Sequence, residues 1–193
     1  PFVANSSSNT TGSLTAFNDD GYDLSSNVST MVNGKSSVTW AFRKAPGFFD
    51  IQTYTGDGTS NKTISHDLDA VPGLTIVKRI DASGDWYVQI GASNDHYYKF
   101  NSTDGKTSDG AFWGSNSFTH TQIGVGGTAN TNNIDGASYI AYIFANGAEA
   151  LGSGEAGCHI FGDDSDEPII KTGTYNGNGT TNGTAIIDLS FEP

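Results

Sequence analysis

Residues 54–72 read YTGDGTSNKTISHDLDAVP, and residues 175–193 read YNGNGTTNGTAIIDLSFEP. Aligned without gaps, nine of these nineteen positions agree, among them Tyr54/Tyr175, Gly56/Gly177, Gly58/Gly179 and Asn61/Asn182. A tyrosine followed by glycines at alternate positions marks a strand running into a tight turn, because glycine supplies the positive φ that such turns need. A second correspondence joins residues 34–42 (GKSSVTWAF) to residues 136–144 (GASYIAYIF), where the apolar and aromatic positions coincide. The first pair is spaced by 121 residues and the second by 102, and a longer loop after Phe144 accommodates the difference. Such self-similarity reads as repeat architecture. The expected organisation is the end of one repeat with a polar linker at 1–46 and a complete central repeat at 47–145. A Gly- and acid-rich insertion follows at 146–167, and the start of a further repeat at 168–193.

Composition narrows the class. The 193 residues are 35% hydrophobic and only 16% charged, with 25 glycines and 11% aromatics. This is the profile of a loop-rich β protein and is too apolar for disorder. The formal charge of −12 comes with nine scattered basic residues, which argues against binding a phosphate backbone, and hence nucleic acid. No run approaches the roughly 18–20 apolar residues of a membrane span. The single cysteine, Cys158, permits no internal disulfide and reads first as a small, half-buried residue. A chain opening on Pro1 reads as processed or as part of a longer polypeptide.

Short apolar runs alternate with turn signals throughout, the pattern of sandwiches and barrels. Strands are expected near residues 38–44, 49–54, 74–80, 86–90, 97–100, 118–125, 139–145, 169–175 and 185–189. Trp86, Val88 and Ile90 fall on one face of their strand, and Tyr87 and Gln89 on the other. The run 139–144 is apolar on both faces and so belongs in the middle of a sheet. Helix signals are thin, with residues 145–151 the only candidate for a turn or two. The fold class is all-β, an antiparallel sandwich.

Few residues suggest chemistry. Asp163, Asp164, Asp166 and Glu167 form an acidic cluster with the oxygen ligands that calcium takes, although a solvated acidic loop is the plainer reading. No other cofactor is expected. The turn at residues 18–23 (NDDGYD) reads as a polar hairpin connection. His66, His96, His120 and His159 lack metal spacing and read as surface or strand-edge residues. The four glutamates show no paired-carboxylate arrangement of the kind a glycosidase needs. Aromatic residues are the better candidates for contact with sugar rings: Trp113, set among small residues in GAFWG, as an exposed platform, together with Tyr97 and Tyr98. Trp40 and Trp86 lie in strand patterns and read as core. Seven Asn-x-Ser/Thr sequons are present, as expected by chance in so Asn- and Thr-rich a chain.

The run from Ala45 to Arg79 (APGFFDIQTYTGDGTSNKTISHDLDAVPGLTIVKR), then DWYVQI, YYKFN and GASYIAYIFA, resembles a repeat of virion proteins from marine tailed bacteriophages. The resemblance implies a jelly-roll or concanavalin A-like sandwich in a tail, fibre or capsid appendage without catalysis. It supplies no site residues. The reading that follows is a non-enzymatic structural protein on the virion surface that assembles with itself and with other virion proteins, host-surface glycans being the contact its aromatics would serve. A secreted adhesin or extracellular filament subunit is the alternative, and a glycan hydrolase the weaker one. A homo-oligomer is expected because Ile186, Ile187, Leu189 and Phe191 of the second copy form an apolar edge that a neighbouring strand would cover.

Overall fold

The computed structural model describes residues 14–18, 21–24, 40–91, 93–110, 112–115, 118–126, 131–146 and 170–179. Among these are ten β-strands and no helix. They are β1 (Leu14–Phe17), β2 (Tyr22–Leu24), β3 (Phe49–Thr55), β4 (Lys62–Ser65), β5 (Pro72–Arg79), β6 (Trp86–Ile90), β7 (His96–Lys99), β8 (Thr107–Ser108), β9 (Gln122–Val125) and β10 (Ser138–Ala145). The chain divides into two compact units, Pro1–Phe42 and Arg43–Pro193.

In the first unit β1 and β2 form an antiparallel hairpin. Its turn closes where the Asn18 N–H donates to the Gly21 carbonyl at 2.9 Å, and the Asn18 amide reaches Asp23 Oδ1 at 3.2 Å. Asn18 and Gly21 therefore bracket the hairpin connection, while Tyr22 and Asp23 belong to β2.

The second unit is a sandwich-like pair of antiparallel sheets. The larger has six strands in the order β3-β10-β5-β6-β7-β8, and the smaller pairs β4 with β9. β10 lies between β3 and β5, as its doubly apolar sequence requires. From β10 the residues Tyr139, Ala141, Ile143 and Ala145 face the core, joined by Tyr54 and Val77 from the neighbouring strands. Ile64, Ile123 and Val125 of the smaller sheet close over them, with Leu68, Phe112, Trp113 and Phe118 from the connections. Each large aliphatic side chain so buried contributes about 1.5–3 kcal/mol. The period of two in β6 holds, but its inner face is the one bearing Tyr87 and Gln89: Tyr87 lies opposite the core residue Val77 and packs against the core.

Several expected elements differ. Residues 40–44 and 170–175 form no strand, and the strand expected at 118–125 is confined to Gln122–Val125. Residues 38–39, 169 and 185–189 lie outside the described residues, as do 147–151 of the helix candidate, whose Ala145 instead ends β10. Strands β4 and β8 are short and polar, and carry no apolar run by which to find them.

The stretch that follows β3 locks the two layers together. The Tyr54 hydroxyl donates to the Asn132 carbonyl at 2.6 Å while its ring stacks on Tyr139 at 5.0 Å. The Gly58 N–H donates to the Asn133 carbonyl, and the Asp57 N–H to Asn133 Oδ1. Gly56 sits so close to this loop that a Cβ there would lie 2.0 Å from the Ile134 carbonyl oxygen. Gly56→Ala must push that backbone aside, so a loss of at least about 1–3 kcal/mol is expected in urea unfolding. Gly84→Ala, whose Cβ would meet nothing nearer than 3.9 Å, should stay within about 0.5 kcal/mol of the parent.

Candidate functional site

Tyr97 and Tyr98 are adjacent on β7 and therefore point to opposite faces of the larger sheet. Tyr97 turns inward, 4.1 Å from the ring centre of Phe112 and 5.5 Å from that of Tyr87. That packing corrects the expectation of a sugar platform at Tyr97. Trp113 is corrected more sharply. It is 0% exposed, its indole N–H donates to the His96 carbonyl at 2.8 Å, and Phe112 and Phe118 meet its ring edge to face. The neighbouring glycine is there for close packing: Gly114 takes φ 70°, its carbonyl accepts from Asn94, and a Cβ would lie 2.8 Å from the Ser60 carbonyl.

Trp40, expected in the core, is instead 79% exposed. Trp86 is half-buried on the outer face of the sheet, where it stacks on Tyr142 at 6.2 Å. His66 also departs from expectation, being buried.

Tyr98 is the one proposed platform residue that faces outward. It lines a cleft of about 250 Å³ with Ile90, His96, Lys106, Thr172 and Thr174. The His96 ring meets Tyr98 edge to face at 5.6 Å. Asp95 Oδ1 contacts His96 Nδ1, which orients the imidazole, and it also accepts from the Ser93 hydroxyl. Those two bonds, the serine's first, draw the Asp95 carboxyl down to about 2, so it is ionised at any ordinary pH. The far wall is held by Asn146 Oδ1, which accepts from both the Thr172 N–H at 3.0 Å and the Thr172 hydroxyl at 2.9 Å. Gly73 makes room for that contact, since a Cβ there would lie 2.2 Å from Thr172 Oγ1. An aromatic face beside hydroxyls, an ammonium and an imidazole can stack on a sugar ring and hydrogen-bond its hydroxyls.

Deeper in the sheet is a row of buried polar groups that sequence reasoning missed. Asp50, Thr75 and Gln89 lie in register across β3, β5 and β6, with Ile143 of β10 between Asp50 and Thr75. Burial pushes the Asp50 carboxyl up, but Lys44 and donors from Asp67 N–H, Gln52 and Ile51 N–H outweigh it and hold the group below its ordinary value. His66 accepts from the Leu68 N–H at Nδ1, and burial lowers its pKa against the pull of nearby Asp50. The carbonyls of Thr119 and Gln122 also favour the charged ring, yet neither completes a hydrogen bond to Nε2. The sequence signal for this row was a polar residue, Asp50, Thr75 or Gln89, inside each of three expected strands.

Asp163, Asp164, Asp166 and Glu167 lie outside the described residues, as do Ile186, Ile187, Leu189 and Phe191. Among the described residues no group of three or more His, Cys, Asp or Glu side chains is placed to hold a metal ion. Nor is any helix among them long and apolar enough to cross a membrane.

Residues 3–193 match the family described as a domain of unknown function, DUF7483, and the chain belongs to that family. The match runs through both compact units. No curated protein and no solved structure matches the chain.

The sign of the His66 shift fixes a pH dependence. Its folded value lies below that of an unfolded histidine, so between the two values the unfolded chain binds the extra proton. Stability should therefore fall as pH drops from 8 through about 6.5 and below. Melting curves of the parent and of His66→Gln at pH 8 and pH 5.5 check this. The difference in Tm between the two conditions should shrink in the variant. Asp50→Asn places an amide against the Ile51 and Asp67 N–H donors and should cost about 2–3 kcal/mol at pH 8.

Proposed function

We propose that the chain is a non-enzymatic structural protein of a bacteriophage particle. In this reading it is an exterior appendage module with a jelly-roll or concanavalin A-like sandwich, assembled in multiple copies. The observation that carries the proposal is the use made of the duplicated motif. In its first copy the motif's functional groups are committed to scaffold. The Tyr54 hydroxyl holds the Asn132 carbonyl, Asp57 binds Thr59, Lys62 and Asn133, and Asn61 Oδ1 accepts from the Ser115 N–H at 2.6 Å. In the second copy Gly179 adopts φ 70°, the same value as Gly58. In this reading the repeated motif serves scaffold rather than chemistry, and a chain that repeats its scaffold suits an array better than a catalyst.

The cleft at Tyr98 gives the reading its contact surface, with host-surface glycans as the ligand class. Its polar lining and single aromatic face suit weak recognition of a polymer, which an appendage present in many copies strengthens through avidity.

Gold-labelled antibody against the chain should decorate the exterior of purified phage particles. Labelling of free filaments or of bacterial envelopes would favour the adhesin reading instead. Glycan retention tests the cleft. Tyr98→Ala should weaken binding about tenfold, the loss of roughly 1.4 kcal/mol of stacking, with only a small change in Tm. Tyr97→Ala should do the reverse, lowering Tm through the core while sparing the cleft.

A further inference from the structure

We propose that the cleft at Tyr98 takes a carboxylated sugar, a uronate unit of an acidic polysaccharide, whose carboxylate meets Lys106 while its ring stacks on Tyr98. This ligand class rests on the glycan reading of the cleft given above and adds to it the charge of the sugar.

The charge of the lining carries the assignment. The chain holds 21 acidic residues against nine lysines and arginines. The cleft is nevertheless lined by Lys106 and His96 and by no acidic residue. Asp104 and Asp109, the acids nearest to Lys106 in sequence, do not line it. The ammonium of Lys106 also differs from its counterparts. Lys44, Lys62 and Lys99 are ion-paired with Asp50, Asp57 and Asp85, and Lys78 reaches a backbone carbonyl. Lys106 is exposed and forms no ion pair among the described residues. The acid within its electrostatic reach is Asp95, whose Oδ1 is committed to the Ser93 hydroxyl and to His96 Nδ1. A cation without a carboxylate, set beside an aromatic ring, is completed by a uronate: its carboxylate forms the charge-assisted hydrogen bond, and its C–H face covers the ring.

His96 supplies a second contact. The Asp95 carboxylate is ionised and can only accept, so its bond to the imidazole puts the ring proton on Nδ1. Nε2 is then left for a ligand, and while the ring is neutral it accepts from a sugar hydroxyl. Size sets the number of units. At about 250 Å³ the cleft is smaller than the roughly 300–1,000 Å³ of pockets that enclose a drug-sized molecule, so it suits one sugar ring. The rest of the polymer runs on over the surface. The net charge of −12 opposes a polyanion at long range. At about 0.15 M salt, however, charges more than about 8 Å apart are largely screened, whereas a direct contact with Lys106 is not.

Retention on immobilised polysaccharides tests the charge. Polygalacturonate, alginate and hyaluronate are each used beside the methyl ester, which keeps the sugar and removes the carboxylate charge. At about 0.15 M salt the parent should bind at least one free acid about tenfold more tightly than its ester, as expected for a hydrogen bond between charged groups. Lys106→Gln should lose about tenfold on that acid and nothing on the ester. Lys106→Arg keeps the charge and should stay within about threefold of the parent. Because Lys106 is exposed, both variants should melt within about 2 °C of the parent. Lys99→Gln makes the same change in net charge away from the cleft and should leave retention unchanged. An acid preference that survives Lys106→Gln, or that Lys99→Gln lowers as much, overturns the proposal. Equal retention of acid and ester, lost in Tyr98→Ala, overturns it too and leaves the glycan reading standing. Retention of none of the three polymers in either form overturns both.

Discussion

The larger unit depends on the Asn132–Asn133 pair, whose buried amides tie its layers together. Asn132 Oδ1 accepts from the Gly126 N–H at the end of β9, and its amide donates to the Phe112 carbonyl at 2.9 Å. Its own carbonyl accepts the Tyr54 hydroxyl from the larger sheet. Asn133 gives its amide to Asp57 Oδ1 and to the Thr59 carbonyl, both at 2.8 Å. The Tyr54 hydroxyl, the Gly126 N–H and the Phe112 carbonyl would otherwise be buried without a hydrogen bond, at a cost of about 1–3 kcal/mol each, whereas Asp57 and Thr59 are exposed. Satisfying them through two side chains converts a loop that would need solvent into part of the interior.

That interaction explains the glycines better than flexibility does. Gly56, Gly114 and Gly126 all lie where another backbone comes within 3 Å of the place a Cβ would take. The polar lock works only if these backbones touch, so a side chain at any of the three separates the layers. The same logic moved Trp113 from surface to core. Small residues on either side of an aromatic read as freedom in the sequence, and in the fold they allow the ring to be enclosed on all sides.

How much was legible follows from how local each signal is. The core strands β3, β5, β6 and β10 were readable because each combines β-branched or aromatic residues with a clear alternation or a doubly apolar run. The central place of β10 was readable for the same reason. Strands β4 and β8 were not, since Lys62–Ser65 and Thr107–Ser108 owe their state to partners 57 or more residues away in one case and to the edge of β7 in the other. The direction of Tyr97 and Tyr98 was invisible too. Adjacent tyrosines must face opposite ways, but only the placement of Phe112 decides which one is inside. His66 carried no burial signal because its environment is assembled from Asp50, Leu68 and the residues around β9. The signal at Trp40 misled, because the alternation around it predicts a buried face and the residue is 79% exposed.

The two faces of the six-stranded sheet bear on function in different ways. The inner face is committed: its aromatics stack on one another, and its polar row is enclosed behind the smaller sheet. The outer face carries Trp86, Tyr142 and Tyr98, all half-buried, alongside a buried lysine, Lys78, whose ammonium reaches the Arg79 carbonyl at 2.7 Å. Burial lowers the Lys78 pKa, and the attraction of Asp85 opposes this. A lysine is held in such a place only where its stem packs against apolar neighbours and its head finds a carbonyl. Aromatic and amphipathic residues on this face leave it able to stack on a ligand while the inner face holds the fold. Substitutions on the outer face can therefore change that surface without disturbing the lock at Asn132 and Asn133.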